Sequence, residues 1–520
     1  MHIVTVDEMR ELEKRAEREY GLTSPILMEN AGKSAAEILA EHLPKIDGKA
    51  RPIDTLKFLL LIGPGNNGGD GLVVARHLRE WGGQVSLYRW KEQQLTIQGR
   101  KVAVEDTSAR LEEVISQVDV VVDALLGTGR SRPLPPSMRE LLSRVQQEKE
   151  RRKQLCLVTI DLPTGMNADT GEVDPGTIAF DMTITLAFPK QGFFFFPGRQ
   201  YLGELYVGDI GLPPEMESHL QTEMLTGELV RKLLPPRPLD SNKGTFGKVM
   251  LFCGSPPYPG SAFLAGNAAG RIGAGLVTLA VTEQMLPIYA SAFHEATFVL
   301  LPDENTGSFE RSSTLIKHLE GYRALLVGPG LGQSAYIREV ILEVLEALRN
   351  MSDEQRPRLL IDADGLNNLS ALERWWTLLP EGTIITPHPG EMGRLCNGLK
   401  VSGGNIDRLE LARSKAREWN VTLVLKGACT IMTQPDGRTR INWCANPALA
   451  TAGTGDVLSG MAAGLFAQKV APFDTASAAV YLHTAAAELV SAQIGNAGLL
   501  AADLLPKVPQ AMKALINIQG

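Results

Sequence analysis

The sequence predicts an α/β protein of two domains, each with a mostly parallel β-sheet and helices on both faces. Short apolar runs rich in Leu, Ile and Val end in glycine-rich turns and alternate with stretches of helical periodicity, which is the pattern of βαβ units. Most runs are near-continuous in apolar residues, as expected for strands buried on both faces. The pattern restarts after residue 240, and a length of 520 residues accommodates two such domains.

The apolar runs give the predicted strands in chain order. In the first half they are Phe58–Ile62, Val118–Val122, Leu155–Ile160, Met182–Phe188 and Glu204–Val207. In the second half they are Lys248–Phe252, Leu276–Val281, Thr297–Leu301, Ala324–Val327, Leu359–Ile361, Thr383–Ile385, Thr422–Leu425 and Thr430–Thr433. Prolines cluster at 211–214 and 235–238 around one short helical stretch, and such clusters interrupt regular structure. We therefore expect domains at 1–225 and 226–520.

Composition excludes several classes of protein. Apolar residues make up 44% of the sequence and charged residues 21%, which excludes disordered and collagen-like chains. The formal charge of -7 argues against a nucleic acid or an anionic membrane as partner. No run of 18 apolar residues, no signal-peptide core and no CxxC pair among the five cysteines occurs in the sequence. We expect a soluble protein of the reducing cytoplasm, with buried thiols and without a zinc site.

A glycine-rich run follows the first strand. Residues 63–71 read GPGNNGGDG, and a helix is expected to begin near Leu72. Glycines let the backbone approach a ligand closely, and a helix amino terminus favours a phosphate. The run does not fit the GxGxxG dinucleotide fingerprint. A plain tight turn would leave the polar side chains of Asn66, Asn67 and Asp70 unexplained, which favours a ligand site.

Two further strand ends carry polar groups. Asp123 precedes the turn LLGTG, and Asp161 and Thr164 belong to DLPTG. Because ligands of open α/β sheets bind at the carboxyl ends of strands, these side chains and Asn67 are expected to share one crevice. Oxygen ligands without His or Cys suit a hard cation, and so few carboxylates suit a monovalent one. Either aspartate alone could equally be a helix cap.

Over about 210 residues, the motifs MENAG, GPGNNGGDG, DALLGTG, DLPTG, FPKQG and FPG, in that order, resemble the NAD(P)H-hydrate epimerase family. The resemblance implies a Rossmann-like three-layer domain that interconverts the R and S forms of NADHX and NADPHX, which are hydrated at nicotinamide C6. It implies a potassium ion on Asn67, Asp123 and Thr164, and Asp161 as the acid or base. The implied substrate-binding residues are Asn66, Asn67, Gly68, Gly69, Asp70, Gly127, Thr128, Gly129, Arg130, Ser131, Arg132, Pro133 and Asp161. It assigns no role to the basic, glutamine-rich stretch from Trp90 to Arg100.

The strongest pattern of the second half is NPALATAGTGDVLSG, at residues 446–460. Its small residues lead into a predicted helix whose first amides can bind an anion. Asp456 lies beside those amides, where it could take a proton from an attacking hydroxyl, or could be an ordinary first-turn aspartate. Lys426 ends a strand and can meet phosphates, although a strand-end lysine is usually just solvated. His388 stands between prolines, as a substrate contact or a surface residue. No Walker A motif occurs.

Over about 270 residues, the motifs KGTFG, GSA, GAG, GPGLG, DADGLN, TPHPGE, LKGACT and AGTGD are similar to the ADP/ATP-dependent NAD(P)H-hydrate dehydratase family. The resemblance implies a ribokinase-like fold, phosphorylation of the C6 hydroxyl of the S hydrate with ADP favoured over ATP, and elimination of phosphate to restore NAD(P)H. It implies Asp456 as the base, Mg²⁺ bridging the phosphates, and a homo-oligomer. The implied nucleotide-binding residues are Lys426, Gly427, Ala428, Cys429, Thr430 and Gly455, and the implied hydrate-binding residues are Ala262, Gly330, His388 and Asp456.

The two halves together predict a bifunctional repair enzyme. Hydration of NAD(P)H gives both epimers, and a stereospecific dehydratase uses one, so a fused epimerase lets the whole pool be repaired. One alternative is a ribokinase-like small-molecule kinase with a regulatory amino-terminal domain, which would release a stable phosphorylated product. Another is a non-catalytic amino-terminal scaffold, since an α/β fold does not fix function, although Asp161 and the cation-binding set argue against it.

Overall fold

The computed structural model describes residues 1–43, 51–103, 107–128, 133–401 and 407–516. The chain divides into two compact units, Met1–Leu220 and Gln221–Gly520. The division falls five residues before the expected boundary at 225, because strand Thr222–Met224 pairs with Thr439–Ile441 in the second unit. The predicted class, an α/β chain with two sheets, is confirmed.

The first unit alternates helices and strands. Its helices are α1 (Val6–Tyr20), α2 (Ser24–His42), α3 (Asn66–Glu80), α4 (Thr107–Gln117) and α5 (Pro136–Arg151). Its strands are β1 (Lys57–Ile62), β2 (Gln84–Arg89), β3 (Gln94–Ile97), β4 (Arg100–Lys101), β5 (Val120–Ala124), β6 (Cys156–Ile160), β7 (Met182–Leu186) and β8 (Glu204–Gly208).

The described strands of this unit form one sheet in the order β4-β3-β2-β1-β5-β6-β7-β8. The six strands from β2 to β8 in that order run parallel, and β3 and β4 add an antiparallel edge. Both faces are buried: Phe58 and Leu60 pack with α1, α2 and α3, whereas Leu59 and Leu61 pack with α4 and α5. Burial on both faces explains why these strands are continuously apolar.

Helix α3 begins earlier than the sequence predicts. It starts at Asn66 instead of near Leu72, so the glycine-rich run forms its first turns. A Cβ on Gly68 would lie 2.1 Å from the carbonyl oxygen of Gly63, and one on Gly71 would lie 2.5 Å from the Cβ of Ala124. Glycine disfavours helix by up to about 1 kcal/mol relative to alanine. Close packing against the neighbouring strand ends therefore overrides that preference.

The second unit has more elements. Its strands are β9 (Thr222–Met224), β10 (Lys248–Phe252), β11 (Leu276–Thr282), β12 (Thr297–Leu301), β13 (Ala324–Val327), β14 (Arg358–Ile361), β15 (Ile384–Ile385), β16 (Thr422–Leu425), β17 (Ile431–Thr433) and β18 (Thr439–Ile441). Its helices are α6 (Gly227–Leu233), α7 (Pro259–Arg271), α8 (Leu286–Ala292), α9 (Ser308–Lys317), α10 (Ala335–Asn350), α11 (Asp364–Leu369), α12 (Pro389–Leu395), α13 (Arg408–Trp419), α14 (Thr454–Ala467), α15 (Pro472–Ile494), α16 (Ala501–Leu504) and α17 (Val508–Ile516).

The sheet of the second unit, as far as the structure describes it, runs β12-β11-β10-β13-β14-β15-β16-β17-β18-β9. It is parallel from β12 to β16 and antiparallel at β17 and β18. Helices α7 and α14 pack closely: a Cβ on Gly460 would lie 2.1 Å from the carbonyl oxygen of Ala265. This packing brings the amino termini of the two helices together, where Asp456 lies.

Two expectations concern environment. All five cysteines are free thiols; Cys156, Cys253 and Cys429 are buried, but Cys396 and Cys444 are partly exposed, so the expectation of buried thiols holds for three of them. In the part of the chain that the structure describes, no helix combines the length and apolar character needed to cross a membrane.

Candidate active sites

A cavity of about 810 Å³ lies at the carboxyl ends of β1, β2, β5, β6 and β7, with α1 and α2 forming its opposite wall. Of the residues predicted to bind substrate, it is lined by Asn66, Asn67, Asp70, Gly127, Thr128 and Asp161. Gly68 and Gly69 lie in α3 behind this wall, against Gly63 and Met28. Pro133 borders a second cavity of about 210 Å³. Gly129, Arg130, Ser131 and Arg132 lie outside the described residues.

Asp161 is held by a buried lysine. It follows β6 with a left-handed φ of 68°, and its Oδ1 lies 2.7 Å from Nζ of Lys190. The Lys190 side chain is 2% exposed and also donates to the hydroxyl of Thr185 and to the carbonyls of Leu186 and Phe188. A buried charge needs such partners, because burial without them is costly. The ion pair therefore fixes the Asp161 carboxylate in the cavity wall.

The segment before α1 anchors Lys190 from the other side. Val4 donates its backbone N–H to the carbonyl of Pro189 and accepts from the N–H of Gln191. These bonds flank Lys190 in the chain and restrict its backbone. The sequence motifs alone give Lys190 no role. Its place inside the apolar segment AFPKQGFF, directly after a strand, is the signal that indicates a buried lysine.

A second carboxyl group faces the same cavity. Asp70, in the second turn of α3, is 8% exposed. Burial raises the pKa of Asp70 to about 8, and the nearby negative charge of Asp161 contributes to the rise. The raised pKa favours the neutral form of Asp70 near pH 7, in which the carboxyl group can donate a hydrogen bond, whereas Asp161 pairs with a cation. A Cβ on Gly127 would lie 3.4 Å from Oδ2 of Asp161, so the Gly127 backbone lines the space beside that carboxylate.

The three residues predicted to bind potassium are brought together by hydrogen bonds. Thr164 Oγ1 donates to Asp123 Oδ1 at 2.9 Å and accepts from the N–H of Leu126 at 3.2 Å, and Asn67 Nδ2 donates to the Leu126 carbonyl at 3.0 Å. Asp123 is 1% exposed. Burial raises the pKa of Asp123 to about 6, although hydrogen bonds from Leu125 and Thr164 oppose the rise.

The Asn67 side chain carries an unused acceptor. Its Oδ1 is buried and has no hydrogen-bond partner among the described residues. A buried carbonyl oxygen without a donor is costly, and oxygen donors suit a hard cation. The residues present thus fit a monovalent cation. Within the described ranges, no group of three or more His, Cys, Asp or Glu side chains is arranged to hold a metal ion.

In the second unit, Asp456 lies in the first turn of α14. The residue before the helix, Gly453, has a left-handed φ of 88°. Burial raises the pKa of Asp456 to about 6 and the charge of Asp362 adds to the rise, whereas a hydrogen bond with Ser261 opposes it. Ser261 lies in the first turn of α7. The carboxylate therefore stands at the meeting point of two helix amino termini, where anions are favoured.

Lys426 points to the same helix terminus. Its Nζ donates to Asp362 Oδ1 at 2.8 Å and lies 3.7 Å from Glu391 Oε2, and a Cβ on Gly455 would lie 3.5 Å from it. Burial disfavours the charged form of Lys426, but the carboxylates of Asp362 and Glu391 favour it more strongly, so the pKa of Lys426 is raised. For Glu391, burial raises the pKa to about 7. Asp362 and Glu391 belong to motifs quoted above, yet the sequence interpretation gave neither a role.

The predicted hydrate-binding residues lie around Asp456 and Lys426. Ala262 is fully buried beside Ser261, and a Cβ on Gly330, at a left-handed φ of 67°, would lie 2.8 Å from Cβ of Ser261. His388 caps α12, where its Nδ1 accepts from the N–H of Gly390 at 3.0 Å. Burial and the charge of Lys426 lower the pKa of His388. His388 is thus a helix cap, and its half-exposed ring leaves a face open to a ligand.

The other predicted nucleotide-binding residues connect β16 to β17. They are Gly427, Ala428, Cys429 and Thr430. Thr430 Oγ1 donates to the carbonyl of Gly427 at 3.1 Å, and Arg408 donates to the carbonyl of Lys426 at 3.1 Å. The turn thus extends from the lysine at the end of β16.

Comparisons with known proteins agree with both halves. A family model described as NAD(P)H-hydrate dehydratase matches residues 249–510, and one described as YjeF-related protein N-terminus matches residues 24–192. The bifunctional NAD(P)H-hydrate repair enzyme of Moorella thermoacetica is 36% identical over 99% of this chain and 97% of its own. The enzymes of the same name from Coxiella burnetii and Escherichia coli are each 31% identical, over 98% and 96% of this chain and 98% and 91% of their own.

Among solved structures, the ADP/ATP-dependent NAD(P)H-hydrate dehydratase from Bacillus subtilis, co-crystallised with ATP and Mg²⁺, is 32% identical. It covers 56% of this chain and 98% of its own, with a TM-score of 0.49. The expected Rossmann-like first unit and ribokinase-like second unit agree with the families whose models match the two halves. The chain belongs to the family of bifunctional NAD(P)H-hydrate repair enzymes, and it is an epimerase in its first unit and a dehydratase in its second.

Proposed function

We propose that Asp161 carries the epimerisation of R and S NAD(P)HX and that Asp456 carries the nucleotide-dependent dehydration of the S form. The observation that carries the first assignment is the Asp161–Lys190 ion pair in the wall of the cavity. The second assignment rests on the position of Asp456 at the amino terminus of α14, beside Lys426. Each carboxylate therefore has a site of its own, in its own unit.

Epimerisation requires few catalytic groups. The carbon that bears the hydroxyl is bonded to the ring nitrogen, so the configuration can invert through an iminium or ring-opened species, with protons moved by one well-placed group. Asp161 is that group, and the ion pair with Lys190 orients its carboxylate. Asp70, in the same wall, donates a hydrogen bond in its neutral form to the departing or returning oxygen.

The substrate of this unit is bound by Asn66, Asn67, Asp70 and residues 127–133, as the family resemblance implies. Potassium would be held by Asn67, Asp123 and Thr164, and the buried unpartnered Oδ1 of Asn67 supports this assignment. When bound, the ion supplies a fixed positive charge beside the pocket. Exchange of potassium for a bulky tetraalkylammonium ion is therefore expected to lower epimerisation and to leave dehydration unchanged.

Dehydration proceeds in two steps. Asp456 takes the proton from the C6 hydroxyl of the S hydrate, and the hydroxyl oxygen attacks the terminal phosphorus of the nucleotide. The bond from that phosphorus to the bridging oxygen breaks, so AMP leaves from ADP, or ADP from ATP. The phosphorylated hydrate then loses inorganic phosphate from C6 and a proton from C5, which restores the ring double bond. The amides of α14 around Gly455 and the ammonium of Lys426 stabilise the charge on the transferring group.

ADP is the favoured nucleotide, with ATP as the alternative, bound by Gly455 and residues 426–430. Ala262, Gly330 and His388 meet the hydrate, which the closeness of Gly330 to Ser261 supports. Magnesium would bind through the nucleotide phosphates, as this ion does at sites with few protein ligands. Its chemistry there is neutralisation of phosphate charge. The absence of a three-carboxylate cage among the described residues is compatible with such binding.

The decisive experiment incubates the protein with mixed NADHX epimers and ADP or ATP and follows NADH absorbance. Complete recovery is expected. Recovery of the S share alone would contradict the epimerase assignment, and no recovery with either nucleotide would contradict both. Accumulation of a phosphorylated hydrate without NADH would instead identify a kinase.

We also propose that the protein acts in the cytoplasm as a homo-oligomer that binds only small molecules. The cysteine content and the charge of -7 support the location and the exclusion of nucleic acid. The homo-oligomer rests on the family resemblance. Light scattering of the purified chain after gel filtration measures its mass, and a monomer mass would contradict the oligomer.

A further inference from the structure

The stretch from Trp90 to Arg100, which the family resemblance leaves without a role, enters the epimerase cavity at one point. Lys91 follows β2, and its exposed side chain lines the cavity together with Gly65 and Asn66. Its backbone is held on both sides: Trp90 donates its N–H to the carbonyl of Ile62 at 3.0 Å, and Gln93 donates to the carbonyl of Trp90 at 3.2 Å. Lys91 is therefore presented from a tight turn fixed to the end of β1.

Lys91 and Asp161 stand at opposite ends of the cavity. In the sheet, β2 is followed by β1, β5 and β6, and Asp161 follows β6. Three strand spacings of about 4.8 Å separate the two ends by roughly 14 Å. A substrate with its nicotinamide ring at Asp161 and an extended dinucleotide backbone therefore reaches towards β2 with its adenosine half.

The other cations that line the cavity lie beside Asp161 or on α1. The lining cations among the described residues are Arg10, Lys14, Lys91 and Lys190. Lys190 is buried against Asp161, and Arg10 is paired with Asp7 at 3.3 Å. Lys14 lies on α1, on the opposite wall. Lys91 is the lining cation that β2 contributes, with no ion pair among the described residues.

The end of the second strand is where dinucleotide-binding α/β domains distinguish a ribose hydroxyl, bound by an acid, from a ribose phosphate, bound by a base. Lys91 is a base at that end, and no acid of the β2 turn lines the cavity. A phosphate held by an ammonium in a partly enclosed site gains a charge-assisted hydrogen bond.

We propose that Lys91 binds the phosphate on the adenosine ribose and so makes the epimerase unit prefer NADPHX to NADHX. The inference rests on the epimerase function of this unit and assigns its substrate preference. It also gives a role to the polar turn after β2, which places a cation over the pocket.

The test compares the parent with Lys91→Gln and Lys91→Glu, without added nucleotide so that dehydration cannot occur. Conversion of each pure R epimer to S is followed by chromatography, and exchange without enzyme is subtracted. The ratio of kcat/KM for NADPHX to that for NADHX is expected to fall about tenfold in Lys91→Gln, the order of one charge-assisted hydrogen bond, and further in Lys91→Glu. The control is Lys101→Gln, which changes an exposed lysine of β4, the edge strand paired with β3, and is expected to keep the parental ratio.

An unchanged ratio in both Lys91 variants would overturn the proposal, and so would an equal fall for the two substrates, which would mark a contact with the shared diphosphate. Titration calorimetry with NADP⁺ and NAD⁺ makes the same comparison without catalysis, since binding at the second unit contributes equally to parent and variant. A parent that exchanges neither epimer yet loses NADP⁺ affinity on Lys91→Gln would contradict the epimerase assignment and leave the phosphate contact standing.

Discussion

The two units treat their key carboxylates differently. Asp161 of the first unit is paired directly with Lys190, at 2.7 Å, and that lysine is almost fully buried. Asp456 of the second unit lies near Lys426, but that lysine pairs with Asp362 at 2.8 Å. Asp456 relies on the amino terminus of α14 and on Ser261.

The difference matches the chemistry of each step. Epimerisation moves a proton to and fro on one substrate, so a carboxylate held firmly by a buried cation is sufficient. Phosphoryl transfer brings several negative charges to the site. A lysine that formed an ion pair with the base could not also neutralise the phosphates. The second unit keeps Lys426 beside Gly455 at the helix terminus, where it can face phosphate.

Exchange of the two carboxylates for amides separates the activities and has the largest expected effect. Asp456→Asn lowers nucleotide-dependent return of NADH from the S hydrate by about 10³-fold, the order of a general base, while R/S exchange survives. Asp161→Asn does the reverse. NADH absorbance and chromatography of the epimers measure the two rates on the same preparation. A loss of both activities in either variant would contradict separate sites.

Removal of the lysine partner tests what holds Asp161. Lys190→Gln leaves the carboxylate in a buried wall without its cation, and we expect epimerisation to fall about 10²-fold, mainly in kcat, as for loss of a positioned acid or base. Dehydration of the S hydrate by the same protein is the internal control, since Lys190 belongs to the other unit. A rise in KM with unchanged kcat would show instead that Lys190 contributes only to substrate binding.

Much of the fold was predictable because most strands are buried on both faces. Strand Thr422–Leu425, for example, is buried along its whole length and has the bounds predicted from its apolar run. The edge strands β3 and β4 were not predicted, because most of their side chains are half-buried or exposed and they carry no continuous apolar pattern. The start of α3 was predicted six residues late, because glycine propensity gave no indication of the packing that Gly68 and Gly71 require.

The partnerships within the sites were harder to predict. Lys190 lies 29 residues after Asp161, and only the pairing of β6 with β7 brings the two loops together. Likewise, Asp362, Glu391 and Lys426 follow β14, β15 and β16, and their closeness depends on the order of those strands in the sheet. Sequence motifs indicated the strand ends. They could not show which side chains face each other across them.

Close packing of α3 in the epimerase unit gives a smaller, structural effect. Gly68→Ala would place a Cβ 2.1 Å from the carbonyl oxygen of Gly63, and such overpacking costs about 1–3 kcal/mol of unfolding free energy. Gly65→Ala is the matched control, because nothing lies within 4 Å of its added Cβ. Chemical denaturation of both variants measures the difference. Equal stability of the two would mean that α3 shifts to accommodate the methyl group.

The raised pKa of Asp456 gives the smallest effect, through pH. Burial raises this pKa to about 6, and the base acts ionised, so kcat/KM for dehydration is expected to be half-maximal near pH 6, to approach its full value above about pH 7 and to fall about tenfold per unit well below pH 6. Bound phosphates would shift the fall upward. A rate that stays constant from pH 7 to about pH 5 would contradict Asp456 as the base.

The same shift has a consequence for stability, with a sign that can be checked. Because the folded pKa lies above the unfolded value near 3.8, ionisation of Asp456 destabilises the fold as pH rises through the window from about 4 to 6. Asp456→Asn removes this cost, so the variant is expected to melt above the parent at pH 7 and close to it at pH 4. Thermal unfolding at the two pH values tests this, and a variant that melts lower at pH 7 would show that the carboxylate stabilises the helix terminus.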